Sequence, residues 1–126
     1  MNVKINTKEK FHAITLPGPA LSATMTEELG VLLLPFLKNE VKNVILILKD
    51  IQDIDDAVAE KLVHIQQKYY DNNISFVICG LLPPVEAVFY QMGLLEIMNV
   101  TPTESEAGDI VQLEEIEREL LDGETG

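Results

Sequence analysis

Tryptophan is absent from this sequence, cysteine occurs once, and aromatic residues fill only 6% of its 126 positions. The lone Cys79 cannot close a disulfide within the chain, so no disulfide framework is expected. It sits in an apolar run and reads as a small buried hydrophobe. Basic residues are scarce as well. Nine Lys and Arg stand against 21 Asp and Glu, giving a formal net charge of −12. A nucleic-acid partner needs a basic patch, and an anionic bilayer surface repels such a chain, so neither is expected. No apolar run approaches the roughly 20 residues that span a bilayer, so no membrane insertion is expected. The longest, residues 29–37, contains Pro35. The first six residues lack the charged-then-apolar layout of a signal peptide. Together these absences predict a cytoplasmic protein.

What is present is a 47% hydrophobic chain of a length suited to one core. Residues 43–70 organise it. Asn43-Val44-Ile45-Leu46-Ile47-Leu48 is a continuous apolar run, the pattern of a strand covered on both faces. A turn carrying Asp50, Asp53, Asp55 and Asp56 follows. Val58, Leu62, Ile65 and Tyr69 then recur at helical spacing, with Glu60, Lys61, His64, Gln67 and Lys68 facing outward. The end of a buried strand opening into a helix is a common place for function in α/β domains.

The flanking segments repeat the theme. Two short alternating stretches, around residues 3–6 and 11–15, predict an antiparallel pair. Pro17-Gly18-Pro19 ends the second stretch. A helix is expected over about residues 25–37, capped by Ser22, Thr24 or Thr26 and disturbed by Pro35. Asp71-Asn72-Asn73 ends the central helix, and residues 74–79 form the next buried strand. A helix over 84–92 ends at Gly93, and a short strand is expected within 95–100. The final helix, about 104–121, carries Ile110, Leu113, Ile116 or Glu117, and Leu120 along one side. Its outer side is acidic through Glu114, Glu115, Glu117 and Asp122; the helix can wrap the core or dock a basic partner, and core packing is the favoured expectation. The predicted order is β-β-α-β-α-β-α-β-α: a single α/β domain with a mostly parallel mixed sheet of four to five strands and helices packed on it.

Catalytic chemistry finds little support. His12 and His64 are distant and have no evident partner, and no serine-histidine-aspartate set, phosphate loop or CxxC motif occurs. No catalytic residue and no cofactor are expected. The four aspartates suggest Mg²⁺ or Ca²⁺, but they lack the central glycine and distal glutamate of a calcium loop. The run reads as a solvated acidic turn rather than a metal site. A metal-dependent enzyme built on Asp50 to Asp56 stays as the weakest alternative.

The order of elements and the turn Ile54-Asp55-Asp56-Ala57-Val58-Ala59 resemble the STAS domain, the fold of bacterial anti-sigma factor antagonists. Val85, Phe89, Gly93 and Leu94 match the family's short-helix pattern, and Thr103-Glu104-Ser105-Glu106-Ala107 is similar to the start of its last helix. The resemblance covers residues 3–111. It implies a STAS-like domain over 1–111, with 112–126 as the end of the final helix and a frayed acidic tail. It also implies a protein partner: an anti-sigma factor with serine-kinase character, or a related regulator. In the family a serine in this turn is phosphorylated to release the partner. Here that serine aligns with Asp56, which has no hydroxyl. Asp56 therefore has three readings: a helix cap (shared with Asp55), a poor phosphoserine mimic, or the remnant of a lost switch. The expected partner surface comprises Asp53, Asp55, Asp56, Ala57, Val58, Lys61, His64, Lys68, Leu81 and Leu82. A structural, oligomerising STAS subunit of a scaffold or lipid-transport complex is the alternative, so a homo-oligomer stays open.

Overall fold

The apolar run at Asn43–Ile47 becomes the central strand of a five-stranded sheet. The computed structural model describes the backbone of residues 1–125 and side chains as far as Leu121. In chain order the elements are β1 (Lys4–Thr7), β2 (Phe11–Thr15), β3 (Ala20–Leu21), α1 (Thr26–Leu33), β4 (Asn43–Ile47), β5 (Asp53–Ile54), α2 (Asp56–Asp71), β6 (Phe76–Cys79), α3 (Pro83–Gln91), β7 (Val100–Thr101) and α4 (Glu104–Thr125). The sheet runs β1-β2-β4-β6-β7, with β1 antiparallel to β2 and every other pair parallel. This is the mixed, mostly parallel sheet that the sequence predicts.

Both faces of the sheet are covered, which is why β4 and β6 read as unbroken apolar runs. Ile14, Val44, Leu46, Phe76 and Ile78 face α1, α2 and α3. Ala13, Ile45, Ile47, Val77 and Cys79 face α4, which contributes Ala107 and Val111. Side chains alternate between two cores because successive residues of a strand point to opposite faces.

Several boundaries differ from expectation. Helix α1 ends at Leu33 and tightens into a 3-10 turn, Leu34–Lys38, because Pro35 has no N–H to continue the α ladder. Ser22 and Thr24 bond each other through their hydroxyls (2.9 Å) instead of capping α1, whose N-cap residue is Met25. The last strand is only Val100–Thr101. Before it the chain turns helically, with Met98 N–H donating to Leu94 C=O at 2.9 Å, which buries Leu94 and Met98. Asn73 (φ 59°) and Gly93 (φ 70°) take the left-handed conformation after α2 and α3, as helix ends favour.

The largest correction concerns α4. Of the stripe expected to pack on the core only Ile110 does so; Leu113, Ile116 and Leu120 face outward and are exposed. The inner side carries Ala107, Val111, Glu114 and Arg118. Glu114 accepts hydrogen bonds from Tyr70 (2.8 Å) and the buried Ser75 (2.7 Å), and Arg118 donates to Ser75 (2.9 Å). Asn43 accepts from Ser75 N–H (2.8 Å) and donates to Glu115 (2.8 Å). Burial, then the charge and hydrogen bond of Glu114, push the Tyr70 phenol up to about 12 against the opposing Asn99 hydrogen bond. A polar cluster thus fixes the far half of α4, where apolar packing was expected. The segment read as a frayed tail is helical as far as Thr125, and Gly126 lies outside the described residues.

Candidate functional site

The C-terminal ends of β2, β4 and β6 lead into residues 16–22, 48–55 and 80–82, and these segments meet along one edge of the sheet. Pro19 C=O accepts from the N–H groups of Gln52 (2.6 Å) and Asp53 (3.2 Å). Strands β3 and β5 then pair in parallel, aligning Ala20 with Asp53 and Leu21 with Ile54. Neither two-residue strand is legible in the sequence, since each exists only through the other. Ile51 and Ile54 are buried beneath the turn and hold it to the core. The acidic turn is therefore pinned by backbone hydrogen bonds on one side and apolar anchors below.

Asp55 takes the extended conformation of an N-cap residue, and its C=O accepts from Val58 N–H (3.0 Å) and Ala59 N–H (3.2 Å). Its carboxylate does not cap α2. Asp55 Oδ2 accepts from Ala23 N–H at 2.7 Å, so it ties the turn to the segment that leads into α1. Asp55 is therefore the N-cap residue by its backbone, as expected, but its side chain makes no capping bond. Asp56 is the first residue of α2 and is exposed. Among the described residues its side chain has no hydrogen-bond or ion-pair partner, although its charge suits the first turn of a helix.

The other candidate residues divide clearly. Asp53, Ala57, His64 and Lys68 are exposed and Lys61 is half-buried. Ala57, Lys61, His64 and Lys68 share one face of α2, at steps of four, three and four residues. Lys68 lies about 18 Å along the axis from Asp56, so it belongs to the face but not to the turn. Val58 is a correction: it is 0% exposed and packs in the core, so no partner reaches it. Leu81 and Leu82 are half-buried, and Leu81 packs against the core cluster. Pro83 opens α3 instead of belonging to the loop.

The Lys61 stem lies along α1, where a Cβ on Gly30 would stand 3.2 Å from Lys61 Cε. It borders an open, mostly apolar groove of about 630 Å³ lined by Val31, Leu34 and Pro35, with Lys38 also at its edge. The sequence did not single out this groove, because it forms only where α1 meets α2.

Two residues set aside in the sequence have defined roles. His12 is buried. Its Nε2 lies 2.7 Å from Val41 C=O, its Nδ1 lies 2.8 Å from Thr7 Oγ1, and Phe36 packs beside its ring. It joins β1, β2 and the approach to β4, correcting the expectation that it lacks a partner. Cys79 is buried at the end of β6. Burial, reinforced by the Glu104 carboxylate, pushes its thiol up to about 11. The thiolate is the reactive form, so native protein reacts with a thiol reagent at pH 8 far more slowly than protein in urea. Equal rates would contradict the burial. The folded value lies above the unfolded one near 9.0, so this thiol contributes stability below pH 9 that is lost as pH rises towards 11.

Among the described residues no group of three or more His, Cys, Asp and Glu is placed to hold a metal ion. Among them, too, no helix is long and apolar enough to cross a membrane.

The STAS domain profile matches residues 2–107. This chain belongs to the STAS family. The fold agrees with solved STAS structures. An anti-sigma factor antagonist from Thermotoga maritima, itself assigned only provisionally, is similar at a TM-score of 0.78 and 20% identity, over 87% of this chain and 94% of that one. The antagonist SpoIIAA in its unphosphorylated form gives 0.69 and 18%, over 88% and 96%. A chain of the stressosome, a signal integration and transduction hub, gives 0.65 and 18%, over 86% and 96%. At such identities the likeness establishes the fold. No curated protein matches the chain in sequence. Within this STAS domain, the pinned acidic turn and the exposed face of α2 form one continuous surface.

Proposed function

We propose that this chain is a non-catalytic, cytoplasmic regulatory module that binds a protein partner in the manner of an anti-sigma factor antagonist. The observation that carries the reading is Asp56: an exposed carboxylate with no partner among the described residues, at the head of α2, on a turn held rigid from below and beside. Ala57, Lys61 and His64 continue its surface, and the apolar groove beside Lys61 supplies an adjoining contact. Asp53, Leu81 and Leu82 lie at the margin. The family resemblance puts the phosphorylated serine at Asp56. A permanent carboxylate there carries one charge where a phosphate carries about −1.5 to −2. The position thus keeps a negative charge but has lost the means of switching it.

The partner class is an anti-sigma factor with serine-kinase character. Titration calorimetry with such a kinase from the same organism is expected to give a 1:1 complex. Reversing charge through Lys61→Glu with His64→Glu should weaken it about tenfold or more. The variant Asp56→Ser should be phosphorylated by that kinase, and the natural chain should not. Phosphate incorporated into the natural chain at this turn, or a complex indifferent to the α2 changes, would refute the proposal. The alternative, a structural subunit of a larger scaffold, draws on the fold shared with the stressosome chain. It requires a stable large assembly of this chain without any kinase, which sedimentation would detect.

A further inference from the structure

The outward stripe on α4 calls for a partner of its own. Leu113, Ile116 and Leu120 are 58%, 44% and 63% exposed. Their spacing of three then four residues aligns them on one side, as in the seam of a two-stranded coiled coil. That side lies opposite Ala107, Val111 and Arg118, which face the sheet. The helix is thus turned with carboxylate and guanidinium groups inward and leucines outward, although reversing it would bury more apolar surface. The bonds from Glu114 and Arg118 to Ser75 hold it in this orientation.

Charge decides what covers the stripe. Glu117 and Glu119 flank it on its two sides, and Glu106 and Asp109 extend it towards the start of α4; all four are exposed. Arg118 is the only basic residue of α4, and it is committed inward. A second copy of this chain would bring an equally acidic flank with no free basic residue to answer Glu117 and Glu119, because its own Arg118 is also committed inward. The stripe also spans only about 10 Å, far from the roughly 800 Å² that each partner gives to a standard stable interface.

We propose that α4 docks a helix of another protein, one with an apolar seam flanked by lysine or arginine, in a transient contact. This surface lies across the sheet from α2 and is independent of the site proposed above.

The test uses a synthetic peptide of about three heptads, with leucine at the two seam positions and lysine at the flanking ones, and its glutamate-flanked counterpart. Fluorescence anisotropy with the full chain is expected to show binding of the lysine peptide alone. The exposed double change Leu113→Ser with Leu120→Ser should weaken it by about tenfold or more, with unfolding by urea unchanged. Glu117→Lys with Glu119→Lys should transfer preference to the glutamate peptide. Lys61→Glu should leave binding unaltered, which separates this surface from the α2 face. Lysine-peptide binding that ignores the leucine changes is mere charge attraction and overturns the proposal, as does absence of binding. A dimer of the chain that Leu113→Ser dissociates would make a second copy the occupant and overturn it equally.

Discussion

Replacing Gly18 with alanine is expected to lower the unfolding free energy by about 3 kcal/mol or more, the upper range for forcing extra atoms into a packed site. A Cβ at Gly18 would stand 1.8 Å from the carbonyl oxygen of Asp50 and 2.9 Å from its carbonyl carbon. The obstacle is backbone, so no side-chain rotation relieves it. Residues 16–19 and the acidic turn must separate. The bonds from Gln52 and Asp53 to Pro19 C=O lie next to the clash and would be strained or lost, and with them the pairing of β3 and β5. Because Asp55 and Asp56 follow directly, partner binding should weaken along with stability. Urea unfolding of Gly18→Ala measures the first effect. A change below about 1 kcal/mol would mean that the two segments part freely, contrary to the rigid turn described above.

Gln66 should be nearly as sensitive. It is 5% exposed and faces β6 and the chain entering β7. Its amide nitrogen donates to Phe76 C=O (2.6 Å) and Asn99 C=O (3.2 Å), while its side-chain oxygen accepts from Asn99 N–H (3.0 Å). One amide thus satisfies three backbone groups where β7 is too short to pair with the start of β6. The variant Gln66→Glu keeps the shape but turns the donor into an acceptor against two carbonyls. A loss of about 3 kcal/mol or more at pH 7 is expected, since a buried charge then lacks its bonds. The pH dependence identifies the cause. Burial and the facing carbonyls favour the protonated carboxyl, which holds its folded pKa above the unfolded value of about 4.3. The variant's deficit relative to wild type should therefore grow as pH rises above that value and shrink as pH falls from 7 towards about 5. A deficit constant across that range would point to packing instead of a misplaced donor.

The helical pattern 58, 62, 65, 69 assigns Gln66 to neither face, because its residue type carries no apolar signal. Its signal was available only in the angle: position 66 lies one turn after Leu62, on the border of the buried face. Val58 shows where two signals conflict. The family motif puts it inside the turn and so on the partner surface, whereas its helical spacing to Leu62 marks it as core, and the core is where it lies.

The sequence by itself determined the elements whose pattern is local. Continuous apolar runs specified two covered strands, and apolar spacing specified α1, α2 and α3. Asn73 and Gly93 marked helix ends, and the motif spacing carried the family. The tertiary structure alone decided four things. Short β3 and β5 exist only because Gly18 lets two loops touch. The Asp55 carboxylate reaches Ala23 instead of its own helix because that neighbour is brought beside it by the fold. Gln66 is buried because β7 is too short to pair with the start of β6. The outward turn of α4 was set by bonds from Glu114 and Arg118 to Ser75, groups 39 and 43 residues apart. A pattern of apolar residues reports how many faces a helix has to bury. Which face meets the sheet depends on polar partners that only the folded chain brings within reach.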